Sequence, residues 1–143
     1  MSEWKEYRLS KIGSEVRSSY KPNLTDNLAY IGYEHIIQQE LRLNGRGNSS
    51  DIQSDKKRFV VGDIIFGTLR PYFRKVIMPN FNGVCSSDLA VIRANQGFEQ
   101  KFLFYILASQ PLIDYADVTS NGTKMPRSKW SVLEQTKWLV PPL

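Results

Sequence analysis

The stretch from Phe59 to Arg93 carries the clearest alternation of apolar and polar positions in the chain. Apolar runs rich in β-branched residues occupy Val60–Val61, Ile64–Phe66, Val76–Met78 and Leu89–Ile92, and Gly, Pro and Asn residues separate them. Short apolar runs bounded by turn-forming residues predict strands joined by turns. We therefore expect a sheet built around this central stretch.

Three more strands are predicted outside it. Residues 4–9 alternate large and charged side chains, Leu28–Ile37 is rich in Tyr and Ile, and Thr136–Val140 is a short run before the final prolines. β-Branched and aromatic residues favour strands, so each segment is expected to pair with a neighbour. Tyr20–Asn27 contains Pro, Asn and Asp and predicts a turn-rich link.

Two polar segments precede the central stretch. Residues 44–55 are rich in Gly, Asn, Ser and Asp, which predicts a mobile loop whose Arg46 could reach a partner. The basic run Lys56–Arg58 is typical of a solvated strand edge, where charge discourages aggregation.

Helical spacing of apolar residues predicts four short helices. Ser10 is expected to cap the first, with Leu9, Ile12 and Val16 on one face. The second is a buried helix over Phe102–Ala108. The third has Pro111 in its first turn, and the fourth starts at Pro126. Their expected buried positions are Phe102, Leu103, Ile106, Leu107, Leu112, Ile113, Tyr115, Ala116, Trp130 and Leu133.

Composition is that of one globular domain. The chain has 143 residues, of which 41% are hydrophobic and 23% charged. Mixed strands and helices predict an α/β domain of the α+β type. Cys85 is the only cysteine and His35 the only histidine, so neither an internal disulfide nor a zinc site is expected. No apolar run has the length of a membrane span and the N-terminus does not resemble a signal peptide, so a cytoplasmic location is expected.

The net charge of +5 is concentrated in two segments. Residues 64–87 and 119–130 each contain three basic residues and no acidic residue. The charge of the two segments together is therefore larger than the net charge of the whole chain. Such clusters suit an anionic partner, although a solvated hairpin tip is the simpler alternative. The six cations are Arg70, Arg74, Lys75, Lys124, Arg127 and Lys129.

Polar side chains around these cations suggest a DNA-binding surface, because basic loops contact phosphates and Asn, Ser, Thr and Arg contact base edges. Pro71 and Pro126 would stiffen the two loops. Tyr72 and Phe73 could be aromatic anchors or core residues, and Ser86 and Ser87 could bind phosphate or only cap a turn. The candidate DNA-binding residues are Thr68, Arg70, Tyr72, Arg74, Lys75, Ser86, Ser87, Asn121, Thr123, Lys124, Arg127 and Lys129.

The sequence has no recognisable catalytic motif. Val140-Pro141-Pro142-Leu143 lacks the polar and aromatic residues of a DNA methyltransferase loop, and no P-loop or nucleophile elbow is present. Asp63 and Asp88 are the only acids between Phe59 and Asn95, where a turn hydrogen bond is a more common role than metal binding. No cofactor is expected. A protein-interaction module with basic loops, or a small metal-dependent nuclease, remain the alternatives.

Five stretches in order resemble the target recognition domain of the specificity subunit of type I restriction-modification enzymes. They are WKEYRLSKIG, YIGYEHI, GDIIFGTLRPYFRKV with CSSDLAVIR, NGTKMPRSKW and WLVPPL, and they span nearly the whole chain. The resemblance implies a mixed α/β globule with a curved, partly barrel-like sheet. It also implies that Arg70–Lys75 and Asn121–Arg127 approach double-stranded DNA.

The same resemblance implies a non-catalytic role. Such a domain recognises one half of a bipartite target, and partner subunits carry out methylation and restriction. Long spacer helices join two such domains and dock the modification subunits. The present sequence stops at Pro141-Pro142-Leu143, where that helix would begin, so we expect a single recognition domain over residues 1–143 that lacks the spacer.

Overall fold

The computed structural model describes residues 3–122 and 125–142. Within them the strands form three separate sheets, in the orders β1-β11, β2-β10-β7-β8 and β3-β6-β9-β4-β5. The strands are β1 Lys5–Arg8, β2 Gly13–Glu15, β3 Ser19–Tyr20, β4 Ala29–Ile31, β5 Gly47–Asn48, β6 Lys56–Phe59, β7 Ile64–Gly67, β8 Val76–Ile77, β9 Gly83–Cys85, β10 Leu89–Ala94 and β11 Lys137–Val140. The α-helices are α1 Leu9–Ile12, α2 Gln100–Ala108, α3 Gln110–Val118 and α4 Trp130–Leu133, and 3₁₀ turns cover Tyr33–His35, Ser49–Asp51 and Pro71–Phe73.

The central antiparallel pair, β7 and β10, separates two hydrophobic clusters. Side chains alternate between the faces of a strand, so Ile64 and Phe66 face the helices, while Ile65 packs toward the five-stranded sheet. In β10, Ile92 joins the first cluster and Val91 the second. Both strands therefore have continuous apolar sequences, and the prediction of strands here is confirmed.

The five-stranded sheet is mixed, because β4 runs parallel to β9 while its other pairings are antiparallel. A side chain at Gly83 would place its Cβ only 2.5 Å from the carbonyl oxygen of Ala29. Glycine is therefore needed in β9 for the two backbones to approach. The partly barrel-like sheet that the resemblance implied is not found. The described strands split among three sheets instead of curving into one.

The helices cover one face of the central sheet. Leu103, Ile106 and Leu107 of α2 are buried, as are Leu112 and Ile113 of α3, so both predicted helices are confirmed. Three details differ. Tyr115 is 39% exposed, Arg8 occupies the N-cap position expected for Ser10, and α4 begins at Trp130 rather than at Pro126.

Several strand predictions were wrong in detail. Val60 and Val61 lie in a turn, 47% and 57% exposed. The predicted strand over residues 28–37 covers only β4 and is followed by a 3₁₀ turn. Lys56–Arg58 is not an edge but part of β6, between β3 and β9. Lys57 donates a hydrogen bond to the Leu89 carbonyl oxygen, so a charged side chain can lie beside a core strand.

The first and last strands pair with each other. β1 and β11 form an antiparallel ribbon that brings the two ends of the described chain together. An aromatic groove of about 680 Å³ lies between this ribbon and α2, and Trp4, Tyr7, Phe102 and Tyr105 line it. Across the described ranges, the longest helices are much shorter than a membrane span requires.

Candidate nucleic-acid interface

The two cation-rich loops of the sequence are joined by backbone hydrogen bonds. The N–H of Arg70 donates to the Pro126 carbonyl oxygen at 2.7 Å, and the N–H of Ser128 donates to that of Thr68 at 2.9 Å. Within the second loop, Asn121 and Arg127 exchange two hydrogen bonds, of 2.9 and 2.8 Å. Paired backbone groups fix the loops relative to one another, so they form one structural unit.

A third segment, Ser86–Asp88, joins the same unit. The N–H and hydroxyl of Thr68 both donate to the Asp88 carbonyl oxygen, at 3.1 and 2.9 Å. The Asp88 carboxylate also forms an ion pair with the Arg127 guanidinium. We call residues 68–75, 86–88 and 119–129, of which the structure describes all but 123 and 124, together the loop surface.

The turn Pro71–Phe73 is held in an unusual backbone conformation. Arg70 and Arg74 flank it with φ of 48° and 49°, in the left-handed region that non-glycine residues adopt infrequently. Such residues persist only where surrounding contacts fix them, and they cluster at functional sites. Here Gln39 supplies two such contacts, since its N–H donates to the Phe73 carbonyl oxygen at 2.9 Å and its Nε2 to that of Tyr72 at 2.6 Å.

Tyr33 supports the start and end of the first loop. Its hydroxyl donates to the Leu69 carbonyl oxygen at 2.9 Å. The Lys75 ammonium donates to the Tyr33 carbonyl oxygen at 2.9 Å and lies 3.8 Å from the centre of its ring. Burial lowers the pKa of Lys75, and the Glu34 charge acts in the opposite direction. Burial raises the pKa of Tyr33, which the nearby Arg70 charge opposes. Lys75 is thus engaged within the protein.

The other predicted residues of the first loop differ in accessibility. Tyr72 is 42% exposed and packs edge-on against Phe73, with ring centres 4.8 Å apart. Thr68 is half-buried against Asp88. The Arg74 guanidinium donates to the side-chain oxygen of Gln110 in α3. Tyr72 is therefore exposed, whereas Thr68 and Arg74 are partly buried.

Ser86 has the capping role that the sequence left open. Its hydroxyl accepts a hydrogen bond from the Asp88 N–H at 3.2 Å, and its own N–H donates to the Ile31 carbonyl oxygen at 3.0 Å. Ser87 is exposed beside it.

The second loop presents Asn121, Arg127 and Lys129, all exposed. The predicted residues Thr123 and Lys124 lie outside the described residues. Thr119 and Ser120 hydrogen-bond back to carbonyl oxygens of Tyr115 and Asp117, and so end α3.

Three residues of the loop surface or its support were missed as site residues from sequence. Tyr33 and Gln39 act through contacts with residues far away in the chain, for which no local pattern exists. For Asp88, the sequence predicts only a hydrogen bond within a turn. Asp63, by contrast, has the predicted turn role, since its carboxylate accepts from the Val60 N–H at 2.9 Å and from Arg93 at 2.6 and 2.8 Å.

The described residues contain no group of three His, Cys, Asp or Glu side chains that could hold a metal ion. Asp63 pairs with Arg93 and Asp88 with Arg127. The two carboxylates considered for a nuclease are therefore each paired with an arginine.

No protein-family model matches the chain. Two individual proteins are similar to it in sequence. The chain is 25% identical over 142 residues to the type I restriction enzyme EcoDI specificity subunit of Escherichia coli, which covers 98% of this chain and 32% of the relative. It is 28% identical over 120 residues to the type I restriction enzyme HindI specificity subunit of Haemophilus influenzae, which covers 80% of this chain and 26% of the relative.

Solved structures agree. The HsdS subunit from Thermoanaerobacter tengcongensis superposes with a TM-score of 0.82 at 25% identity, over 99% of this chain and 38% of that one. A second solved structure concerns the complex assembly and conformational transition of the type I R-M system. One of its chains superposes with a TM-score of 0.83 at 24% identity, over 98% of this chain and 38% of that one. The chain thus spans about a third of the length of these relatives, and its mixed α/β fold is that of one part of them.

Proposed function

We propose, from its homology to the specificity subunits of type I restriction enzymes, that this chain recognises a short sequence in double-stranded DNA. That sequence is one half of a bipartite target. Residues 1–143 act as a single target recognition domain, and the reactions that follow recognition belong to partner subunits. The observation that carries the proposal is the junction of three separate chain segments into the loop surface, where most of the candidate residues lie.

Two kinds of contact are expected from this surface. Exposed cations such as Lys129 neutralise phosphates, which supplies affinity and fixes the register on the duplex. Asn121, Thr68 and Arg127 carry the donors and acceptors that distinguish base edges in a groove. The turn Pro71–Phe73, with Arg70 and Arg74 in the left-handed region on either side, is already ordered in the free protein, so less conformational entropy is lost on binding.

The partners follow from the relatives. The proposal places this chain in the cytoplasm with modification (methyltransferase) and restriction subunits, which it directs to DNA without catalysing a reaction itself. The backbone hydrogen bonds between the loops support a rigid recognition element for such an assembly.

The test is selection of the purified chain on a pool of random duplexes at two salt concentrations. We expect a motif of a few base pairs to be enriched, and affinity to fall steeply between about 50 and 200 mM salt, by roughly ten-fold or more for each two to three phosphate contacts.

Salt-sensitive binding without enrichment would contradict sequence recognition and leave only phosphate contacts. Binding to no duplex at low salt would contradict the proposal altogether, and strong binding to an acidic protein would then favour an interaction module.

A further inference from the structure

Asp88 is the one acidic residue in the sequence of the loop surface. A carboxylate near DNA is repelled by phosphates, so it lowers general affinity for a duplex. A role for Asp88 in DNA binding must therefore be something other than raising general affinity for a duplex.

The main chain of Asp88 is fixed on both sides. Its N–H donates to the Ser86 hydroxyl at 3.2 Å, and its carbonyl oxygen accepts two hydrogen bonds from Thr68. The next residue, Leu89, is the first of β10, the buried central strand. The main chain that carries the Asp88 side chain is thus held rigidly at the start of a core strand. A residue that contacts a base specifically needs such a rigid support.

The Asp88 carboxylate and the Arg127 guanidinium form an ion pair that stays partly open to solvent, with side chains 31% and 46% exposed. A guanidinium has five N–H donors and a carboxylate about four acceptor sites. One shared hydrogen bond therefore leaves most of this capacity for a ligand. The pair offers donors and acceptors side by side.

The major-groove edge of a G·C pair has the complementary pattern. Guanine shows the acceptors O6 and N7, and the cytosine beside it shows the donor N4 amino group. Arginine is the commonest partner of guanine, and an acidic side chain accepts from cytosine N4.

We propose that Asp88 and Arg127 together recognise one G·C base pair. Arg127 donates to guanine O6 and N7, and Asp88 accepts from the cytosine amino group while orienting the guanidinium. This inference rests on the proposed function and names two residues that determine its specificity.

The experiment repeats the duplex selection with four proteins: wild type, Asp88→Ala, Asp88→Asn and the control Asp55→Asn, which removes one negative charge from an exposed position outside the loop surface. In the wild type, one position of the motif is fixed as G·C. Asp88→Ala loses roughly five- to hundred-fold of the preference at that position alone. It also binds unrelated duplexes more tightly, because a repelling charge is gone.

Asp88→Asn gives the sharper outcome. An amide pairs with adenine N6 and N7, so the preference at that one position shifts from G·C toward A·T. Asp55→Asn selects the wild-type motif. Since Asn has nearly the size of Asp, this variant keeps the test decisive if Asp88→Ala folds poorly.

A wild-type motif that both Asp88 variants leave unchanged would overturn the inference and leave the proposed function standing. A uniform loss of affinity with all preferences intact would reduce Asp88 to a support of Arg127 and overturn base recognition by it. Absence of any motif in the wild type would overturn the proposed function and this inference together.

Discussion

The backbone N–H of Arg70 donates a hydrogen bond of 2.7 Å to the carbonyl oxygen of Pro126. This bond joins two loops that are separated in the chain by β8, β9, β10 and the helices α2 and α3. Because Ser128 and Thr68 add a second bond of 2.9 Å, the loops cannot move independently without breaking these backbone hydrogen bonds. The described parts of the two loops therefore form one rigid unit.

Arg127 and Arg70 are predicted to contribute to DNA binding. Changing either to Ala should weaken binding to the selected duplex by about 1–3 kcal/mol if that arginine contacts a base, with relaxed preference at one position. If it contacts only phosphate, affinity should fall uniformly across sequences and the salt slope by about one unit. Lys101→Ala, which removes an exposed cation of the aromatic groove, is the matched control. Affinities equal to the control in both variants would contradict the site assignment.

Tyr33→Phe should loosen the first loop without removing a side chain from the loop surface. The variant loses only the hydrogen bond to the Leu69 carbonyl oxygen, so we expect the free energy of unfolding to fall by about 0.5–1.5 kcal/mol. DNA affinity should fall several-fold, because the loop must be ordered on binding. Denaturant unfolding and DNA titration measure the two effects. Tyr105→Phe, at an exposed ring of the aromatic groove, should change neither.

Asp63→Ala should destabilise the fold and leave base preference unchanged. The buried carboxylate accepts hydrogen bonds from Val60 and from two nitrogens of Arg93, and charged hydrogen bonds of this kind make a loss of about 2–4 kcal/mol the expected result. Asp55→Ala is the exposed control and should stay within about 0.5 kcal/mol of the wild type. Equal unfolding free energies in the two variants would show that the Asp63–Arg93 pair adds nothing.

Cys85 predicts a loss of stability at alkaline pH. Burial raises the pKa of its thiol to about 12 in the folded chain, whereas a cysteine in an unfolded chain ionises near about pH 8.5. The raised pKa leaves stability intact below the unfolded value. As pH rises from there toward 12, only the unfolded state loses the proton, so stability falls by about 1.4 kcal/mol per pH unit. The unfolding free energy should therefore decline more steeply with pH in the wild type than in Cys85→Ala. Parallel curves would contradict the burial of this thiol.

The sequence was informative where local pattern and burial coincide. Ile64–Phe66 and Leu89–Ile92 are apolar on both faces because the central strands are covered on both sides, and that composition predicts a strand directly. The spacing of Leu103 and Leu107 identified α2 in the same way. Charge clustering singled out both loops as candidates for binding an anionic partner, because acidic residues are absent from them.

Long-range contacts explain what the sequence did not predict. Arg58 lies in a strand within the five-stranded sheet with its guanidinium 4.7 Å from the ring centre of Tyr20, a contact that no local pattern encodes. The same holds for Tyr33, whose hydroxyl holds a loop more than thirty residues away. The joining of the loops and the pairing of Asp88 with Arg127 depend on the assembled sheets, so they emerge only from the structure.

The most direct test of the loop surface is to follow the backbone amide resonances of the chain by NMR during titration with its selected duplex. We predict that the largest chemical-shift changes occur in residues 68–75, 86–88 and 119–129, and that the aromatic groove between β1, β11 and α2 stays unperturbed. Changes concentrated in that groove, with the three segments unaffected, would contradict the assignment of the loop surface as the DNA-binding site.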